Sequence, residues 1–276
     1  MQILLATSIP SHTPSLCSAL LDVSDKAVLH LVKLWLVAPV EEKDNRGRTH
    51  RTTRNKDEGK GSPQGSPISP LFANLYMRRF VLGWKTLGHE RALRARIVNY
   101  ADDFVICCRG NADKAMHAMR DMMTRLKLTV NETKTHVCRV PDESFDFLGY
   151  TFGRGYAPRT GQPYIGARPS KKKIARLRQA ISEQTSARWG LAEPEEIVGR
   201  LNLMLRGWAN YFSYGSVSPA YRAVDYHARE RLRQWLRRKH KVPGRGTVRY
   251  PLQYGYKNLG LIELRCKRRS FPRANA

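Results

Sequence analysis

The sequence is short of acidic residues and has no long, uninterrupted apolar run. Of its 276 residues only 23 are Asp or Glu, against 49 Lys and Arg, so the formal net charge is +26. This balance favours a polyanionic partner, with nucleic acid ahead of an anionic membrane surface. The longest apolar-leaning stretch, 16–40, is interrupted by charged residues, which excludes a transmembrane span.

Cysteine is also scarce, and it is poorly placed for metal binding. The five cysteines form no CxxC pair, and two of them, Cys107 and Cys108, are adjacent. This pattern indicates neither a zinc site nor a disulfide framework, so we expect reduced, packed thiols. The first twenty residues lack the Lys/Arg start and the small-residue cleavage site of a signal peptide, and we therefore expect a cytoplasmic protein.

Basic charge is concentrated towards the C-terminus. Up to Ala167 there are 24 basic and 16 acidic side chains, a net charge of +8, and beyond it there are 25 and 7, a net charge of +18. The Gly/Pro-rich segment 153–169 lies at this change of composition, and its glycines and prolines are expected to interrupt regular structure. We therefore predict that this segment connects two domains.

Hydrophobic periodicity predicts mixed helices and strands before this connection and helices after it. The elements predicted before it are a helix from Pro67 onward, a β-hairpin of the apolar runs 97–98 and 104–107, a helix with a methionine stripe over 115–126, a short strand over 145–152, and a loop or exposed hairpin over 41–61. Those after it are helices over 171–188, 194–212 and 219–241. We expect the methionines to fill a core rather than to form a binding surface.

The turn of the predicted hairpin carries two adjacent aspartates, Asp102 and Asp103. Like charges repel, so stability alone explains this pair poorly, and a divalent cation would relieve the repulsion. Mg²⁺ is the natural candidate because it prefers hard carboxylate oxygens and keeps positions open for substrate phosphates. Two such ions can hold the attacking and leaving oxygens of a phosphoryl transfer. A solvated Asx turn is the competing interpretation of the dipeptide alone.

Four motifs in order set this hairpin in a wider pattern. They are Pro63-Gln64-Gly65-Ser66-Pro67-Ile68-Ser69-Pro70-Leu71, Tyr100-Ala101-Asp102-Asp103, Asn131-Glu132-Thr133-Lys134-Thr135 and Phe147-Leu148-Gly149-Tyr150. The series resembles the palm domain of reverse transcriptases. The later segment 203–212, LMLRGWANYF, resembles the maturase-specific thumb of group II intron-encoded proteins. The resemblance runs from about residue 20 to 264.

The resemblance implies an α+β fold, in which a partial reverse transcriptase palm with the YADD hairpin is followed by an all-helical, basic thumb. It implies five segments, namely a residual palm/fingers-side segment over 1–60, the palm over 61–152, the connection over 153–169, the thumb over 170–265 and a basic tail over 266–276. The implied function is RNA-directed DNA synthesis by two-Mg²⁺ nucleotidyl transfer, together with binding and splicing of intron RNA.

The resemblance also implies a role for each motif residue. Asp102 and Asp103 match the pair that holds the catalytic Mg²⁺ ions, and Lys134 matches a catalytic lysine that stabilises or protonates the departing pyrophosphate. Residues implied to contact nucleotide and template are Gln64, Gly65, Tyr100 and Ala101, and those implied to grip the primer are Leu148 and Gly149. Taken singly, Lys134 could be a solvated surface lysine, and the Pro-Gln-Gly loop could simply lead into a helix.

A cluster of basic residues in the predicted thumb is nearly free of opposing acidic charge. Such a cluster repels itself unless phosphates or counter-ions lie against it, so we predict RNA contact in preference to a solvated surface. The predicted RNA-binding residues are Lys171, Lys172, Lys173, Arg229, Arg233, Arg237, Arg238 and Lys239. For the aromatic residues Trp208, Tyr211 and Phe212, core packing competes with base stacking.

The chain lacks one feature that the resemblance requires. A palm of this type has a further metal-binding aspartate on a strand upstream of the Pro-Gln-Gly loop, but no Asp or Glu precedes Asp22. The fingers region that grips template is missing as well. We therefore predict an incomplete Mg²⁺ site, with partners that include intron RNA, an RNA template with its DNA primer and an upstream polypeptide supplying the missing parts. The alternatives are a non-catalytic RNA-binding maturase fragment and a nonfunctional remnant of a mobile element.

Overall fold

The protein is described here by a computed structural model that divides into two compact units, 1–140 and 141–276. The residues described are 2–10, 25–37, 39–43, 48–52, 69–101, 103–126, 128–157 and 159–264. The division between the units falls N-terminal to the predicted connection at 153–169. The predicted site residues Gln64, Gly65 and Asp102 and the basic tail 266–276 lie outside the described residues.

The first unit is a sheet with helices packed on one face. Its strands are β1 (Gln2–Pro10), β2 (Val40–Lys43), β3 (Thr49–Thr52), β4 (Ala95–Tyr100), β5 (Asp103–Cys108), β6 (Leu128–Val130) and β7 (His136–Arg139). Its helices are α1 (Lys26–Val37), α2 (Ser69–Thr86), α3 (His89–Ala92) and α4 (Ala112–Arg125). The strand order is β4-β5-β1-β6, with β7 also paired to β1, while β2 and β3 form a separate hairpin that begins one residue before the stretch 41–61.

The core of this unit lies between the sheet and helices α2 and α4. Helix α4 begins where the Asn111 side chain accepts hydrogen bonds from the backbone N–H groups of Asp113 and Lys114. Its methionines point inwards, which confirms their predicted packing role. The buried side chains of this core include Phe80 and Trp84 of α2, Phe104 and Ile106 of β5, and Met119, Met122 and Met123 of α4. Within it, the Trp84 indole donates a 2.9 Å hydrogen bond to the Ala95 carbonyl.

The second unit joins a small sheet to a helical bundle. Its strands are β8 (Phe145–Phe147), β9 (Tyr150–Tyr156) and β10 (Pro163–Pro169), and its helices are α5 (Lys171–Gln184), α6 (Pro194–Tyr211), α7 (Ser218–Lys239) and α8 (Tyr254–Lys257). The three long helices match the helices predicted for this region. Buried side chains of α6 and α7, among them Leu201, Leu205, Val224 and Trp235, form the core of the bundle.

The prediction that glycine and proline interrupt regular structure across 153–169 is wrong. Strands β9 and β10 pair along their full length, and Pro163 and Pro169 are the first and last residues of β10. Because β10 is an edge strand, it tolerates proline at its ends. The glycines make room for neighbouring side chains, since a Cβ atom at Gly153 would lie 2.8 Å from the Ser144 Cβ atom. The predicted strand over 145–152 is likewise two strands, β8 and the start of β9, joined by a turn.

Three cysteines are described, and all are free thiols. Cys108 and Cys138 are buried and Cys107 is half-buried, as expected for packed thiols, whereas Cys17 and Cys266 lie outside the described residues. Burial, with a smaller contribution from neighbouring Cys107, raises the pKa of the Cys108 thiol to about 11. Among the described helices, none has the length and apolar character needed to cross a bilayer.

Candidate functional site

The acidic motif occupies the tip of the β4–β5 hairpin, as predicted. Tyr100 and Asp103 are the last cross-strand pair, and Ala101 lies in the turn that follows β4. Ala101 has a φ of 52°, in the left-handed region that a two-residue hairpin turn requires. Tyr100 is 64% exposed and Asp103 is partly exposed, which leaves the tip accessible to a ligand.

The two faces of this hairpin have different surroundings. Alternation along the strands turns the pairs Ile97/Ile106 and Asn99/Phe104 towards α2 and α4. The pair Tyr100/Asp103 and the neighbouring Val98, which is 53% exposed, therefore lie on the opposite face of the sheet. The acidic tip is thus on the face opposite α2 and α4, where Val98 is exposed and Val105 is buried.

Strand β1 lies beside the acidic hairpin. It pairs antiparallel with β5, and Thr7 is directly opposite Asp103. Directly opposed residues have Cα atoms about 4.5–5.5 Å apart, so position 7 is close enough to share a cation with the hairpin. The occupant of that position is threonine, and no Asp or Glu precedes Asp22 in the sequence.

The described residues do not complete a two-ion magnesium site. Within the described ranges there is no group of three or more His, Cys, Asp or Glu side chains that could hold a metal ion. Asp103 is the one hairpin aspartate that the structure describes, and its strand neighbour on β1 offers no carboxylate. Asp102, the other aspartate of the motif, lies outside the described residues.

The motif that contains Lys134 lies at the same end of the sheet. Strand β6 ends opposite Ser8 and β7 begins opposite Leu5, so the turn 131–135 leaves the sheet beside residues 6–7 of β1. Strand β1 therefore separates this turn from Asp103, a backbone distance of about 10 Å for two strand spacings. The fold therefore brings the predicted catalytic residues Asp103 and Lys134 to the same end of the sheet.

Side-chain hydrogen bonds within the turn fix its shape. The Thr133 hydroxyl donates to the Asn131 side chain at 2.7 Å, and the buried Thr135 hydroxyl donates to the Asn131 carbonyl at 2.8 Å. Glu132 forms a 2.7 Å ion pair with Arg120 of α4. These bonds hold the turn in one conformation and leave Lys134 exposed.

The predicted primer-grip residues form a tight turn within the second unit. Leu148 and Gly149 connect β8 to β9 and have φ values of 50° and 80°. The Tyr211 hydroxyl, at the end of α6, donates a 2.8 Å hydrogen bond to the Leu148 carbonyl. In return the Tyr150 hydroxyl donates to the Tyr211 carbonyl at 2.7 Å. This reciprocal pair ties the turn to the thumb helices, and neither hydrogen bond was predicted from the sequence.

Gly149 is sterically required in this turn. A Cβ atom there would lie 3.0 Å from Lys173 Cε and 3.3 Å from Phe212 Cζ, in a backbone conformation that L-residues rarely adopt. We expect Gly149→Ala to lower the free energy of unfolding of the second unit by about 1–3 kcal/mol. Urea unfolding monitored by circular dichroism measures the change. Gly161→Ala is the matched control, because Gly161 also has a positive φ but nothing lies within 4 Å of its Cβ position. Equal losses in both variants would show that the turn contacts contribute nothing.

The structure divides the predicted RNA-binding residues into exposed and engaged groups. Lys171, Lys172, Lys173 and Arg238 are exposed, whereas Arg229, Arg233, Arg237 and Lys239 are partly buried. Arg233 pairs with Glu230, and Arg237 donates to the Gly244 carbonyl. Lys239 donates to the Ala192 carbonyl at 2.8 Å. Part of the basic cluster thus holds the thumb together, while the exposed lysines at the start of α5 are accessible to a phosphate backbone.

The aromatic residues near the end of α6 have different environments. Phe212 is buried against Trp208 and Tyr150, with ring centroids 4.8 Å and 5.0 Å apart. The Tyr211 ring lies 6.2 Å from that of Tyr150 and is 57% exposed. Phe212 is therefore a core residue, whereas the hydroxyl of Tyr211 forms a hydrogen bond with the turn at Leu148.

His227 of α7 gives the thumb a dependence on pH. Its Nε2 atom lies 2.9 Å from the Arg178 carbonyl, which can only accept, so Nε2 carries the proton and donates. Burial, assisted by the charges of Arg178 and Arg231, lowers the pKa of His227 below its usual 6.5, despite an opposing effect of this hydrogen bond. On acidification the imidazole of His227 therefore binds a proton more readily in the unfolded chain than in the folded second unit.

The stability of the second unit should therefore fall as the pH drops below about 6.5. It should be insensitive to His227 above that value, where the imidazole is neutral in both states. Thermal unfolding between pH 7.5 and 5 measures the effect in the original chain and in His227→Gln, whose amide can still donate to Arg178. An identical loss of stability in both proteins on acidification would contradict the assignment to His227.

Comparison with known families fits this geometry. Residues 9–152, just over half of the chain, match the family model described as reverse transcriptase (RNA-dependent DNA polymerase). The chain therefore belongs to the reverse transcriptase family. Residues 174–252 match a second model, the group II intron maturase-specific domain. Together the two matches confirm the predicted resemblance to a group II intron reverse transcriptase/maturase, as well as the predicted palm followed by a helical domain.

Solved structures that match this chain include telomerases. The telomerase of Candida albicans, in complex with a TWJ fragment of telomeric RNA, is 13% identical with a TM-score of 0.45, covering 91% of this chain and 50% of that chain. Apo telomerase of Candida tropicalis is 11% identical with a TM-score of 0.42, covering 85% of this chain and 47% of that chain. The chain spans about half the length of these structures. A search of curated proteins finds no match.

Proposed function

We propose that this chain provides the acidic hairpin and the thumb of an RNA-directed DNA polymerase that also binds group II intron RNA and assists its splicing. The observation that carries the proposal is the position of Asp103, which pairs with Tyr100 at the end of the β4–β5 hairpin on the sheet face opposite α2 and α4. A primer end paired to an RNA template can approach that face without displacing α2 or α4. The matched family supplies the reaction class.

We further propose that Asp102 and Asp103 are Mg²⁺ ligands in a site that this chain does not complete. Carboxylate oxygens suit Mg²⁺, and two ions would supply the charge stabilisation that nucleotidyl transfer needs. Because β1 contributes Thr7 where a further carboxylate is required, we assign no two-ion transfer step to this chain alone. In this proposal a separate polypeptide supplies the missing carboxylate and the region that grips template.

A second candidate function is RNA binding without copying, as a maturase that helps an intron to fold. The observation that favours it is the same carboxylate-free strand beside the acidic hairpin. The thumb is not affected by that deficiency, and its exposed residues Lys171, Lys172, Lys173 and Arg238 remain available to phosphates. The two candidates share the RNA partner and differ in whether Asp102 and Asp103 act in catalysis.

Equilibrium RNA binding tests the part that both candidates share. The full chain is titrated against a group II intron RNA and an unrelated structured RNA of equal length, at several salt concentrations. We expect tighter binding to the intron and a linear fall of log K with log salt, because phosphate contacts release counter-ions. Arg238→Gln should weaken binding, and Arg91→Gln, on α3 of the first unit, is the control. Equal affinity for both RNAs, or no dependence on salt, would overturn the proposed intron partner.

A further inference from the structure

The β9–β10 hairpin carries a surface that the proposed site does not use. It lies in a stretch with no acidic residue between Asp146 and Glu183, which contains eight Lys and Arg. The outer half of the hairpin exposes two aromatic rings on opposite faces, Tyr156 at 61% in the pair with Pro163 and Tyr164 at 44% in the pair with Gly155. An exposed aromatic ring with a basic side chain on the same face, as Tyr164 has in Arg168, is typical of surfaces that bind single-stranded nucleic acid.

Tyr164 is held in an unusual position on this hairpin. It pairs with Gly155 across the strands, and Gly166 follows two residues later on the same face. A Cβ atom at Gly155 would lie 3.0 Å from Tyr164 Cζ, and one at Gly166 would lie 2.8 Å from Tyr164 Cε2. The distal half of the ring therefore lies across both glycines, closer than any side chain there would permit.

The two glycines lower the stability of the hairpin, and the position of the Tyr164 ring explains why glycine occurs there. Glycine within a strand weakens it by roughly 0.5–1 kcal/mol relative to alanine, because its backbone loses more freedom on folding. In strands it often marks the close approach of another group. Here the group is the Tyr164 ring, which is fixed against the sheet on one side while a large part of it stays exposed.

We propose that Tyr164 stacks on an unpaired base of bound RNA and that Arg168 binds a neighbouring phosphate. Arg168 is exposed, lies on the same face, and is four residues along β10, about 13 Å between Cα atoms. A long guanidinium side chain can span much of that distance. Stacking needs a base whose face is open, so single-stranded RNA is the ligand and a continuous duplex is not. The inference rests on the proposed RNA-binding function and names one contact within it.

Fluorescence anisotropy with a labelled twelve-nucleotide oligouridine tests the stacking contact in the full chain. Tyr164→Phe keeps the ring and should bind as the original chain does. Tyr164→Leu should bind about tenfold more weakly with an unchanged salt dependence, because stacking releases no counter-ions. Gly166→Ala should weaken binding similarly by displacing the ring. Arg168→Gln should instead reduce the slope of log K against log salt by about 0.7.

Photo-crosslinking tests the same contact in the unmodified chain. Photo-crosslinking of a 5-iodouridine oligonucleotide to the unmodified chain should map to the peptide containing Tyr164, and this result does not depend on the folding of any variant. Three results would overturn the stacking proposal while leaving RNA binding intact. They are equal affinity of Tyr164→Leu and Tyr164→Phe for oligouridine, an equal loss of affinity of Tyr164→Leu for duplex RNA and for oligouridine, and crosslinks that map to another peptide. If the unmodified chain binds no RNA at all, the proposed function fails with it.

Discussion

Purified alone, the chain is expected to extend a DNA primer on an RNA template no faster than a protein-free control. Strand β1 runs directly beside the acidic hairpin, and Thr7 lies opposite Asp103, where the proposed metal site would require a further carboxylate. Loss of one preorganised charge-stabilising group commonly costs a factor of about 10²–10³ in rate. The deficiency here affects the ions themselves, so a larger loss is expected.

The assay uses an end-labelled primer, with products resolved on a denaturing gel in Mg²⁺ and in Mn²⁺. An active reverse transcriptase serves as the positive control, and Asp102→Asn is the matched variant of this chain. Both the chain and the variant should leave the primer at its original length. Robust extension that Asp102→Asn abolishes would show that the hairpin acts without the β1 carboxylate.

Replacement of Lys171, Lys172 and Lys173 by Gln should cause the largest loss of RNA affinity of any exposed cluster tested. The three lysines occupy the first turn of α5, where Ser170 caps the helix and no acidic residue is present. Positive charge at a helix N-terminus opposes the helix dipole, so these lysines do not serve helix stability. If each contacts a phosphate, the slope of log K against log salt falls by about 2–3, and affinity at 0.1 M salt falls on the order of 100-fold.

A control of equal charge separates this contact from the general field of the protein. Lys85, Lys114 and Arg125 are exposed on the first unit, and their replacement by Gln removes the same three charges. That variant should lose far less of the salt dependence. Thermal unfolding should show the α5 variant to be at least as stable as the original chain, because an unfavourable dipole interaction is removed. Equal salt slopes in the two variants would contradict a specific role for the α5 lysines.

The elements that the sequence predicts well are those whose periodicity and burial agree. The β4–β5 hairpin has apolar runs on both sides of one short turn, and α4 has methionines at helical spacing that are buried. The β9–β10 hairpin could not be predicted in this way, because glycine and proline normally mark breaks. Gly155 and Gly166 are explained only by the ring of Tyr164, which the register places against Gly155.

The residues of the candidate site could be predicted from the sequence, but the strand pairing around them could not. The sequence identified Asp102 and Asp103 and the lack of an earlier carboxylate, but it did not predict that residues 2–10 form the strand beside them. The two hydrogen bonds between Tyr211 and the turn, to Tyr150 and to Leu148, join residues 61 and 63 apart, separations that no local pattern reports. Likewise, the sequence cannot distinguish the exposed Arg238 from Arg233, which pairs with Glu230 one helical turn away.

Metal binding at the hairpin tests the central claim most directly, namely that the hairpin belongs to a cation site short of the β1 carboxylate. Electron paramagnetic resonance counts free Mn²⁺ in titrations of the original chain, Thr7→Asp and the neutral control Thr7→Asn. We predict weak binding by the original chain and by Thr7→Asn, and at least tenfold tighter binding by Thr7→Asp that Asp102→Asn reverses. If the original chain binds Mn²⁺ as tightly as Thr7→Asp does, its site is already complete and the claim is contradicted.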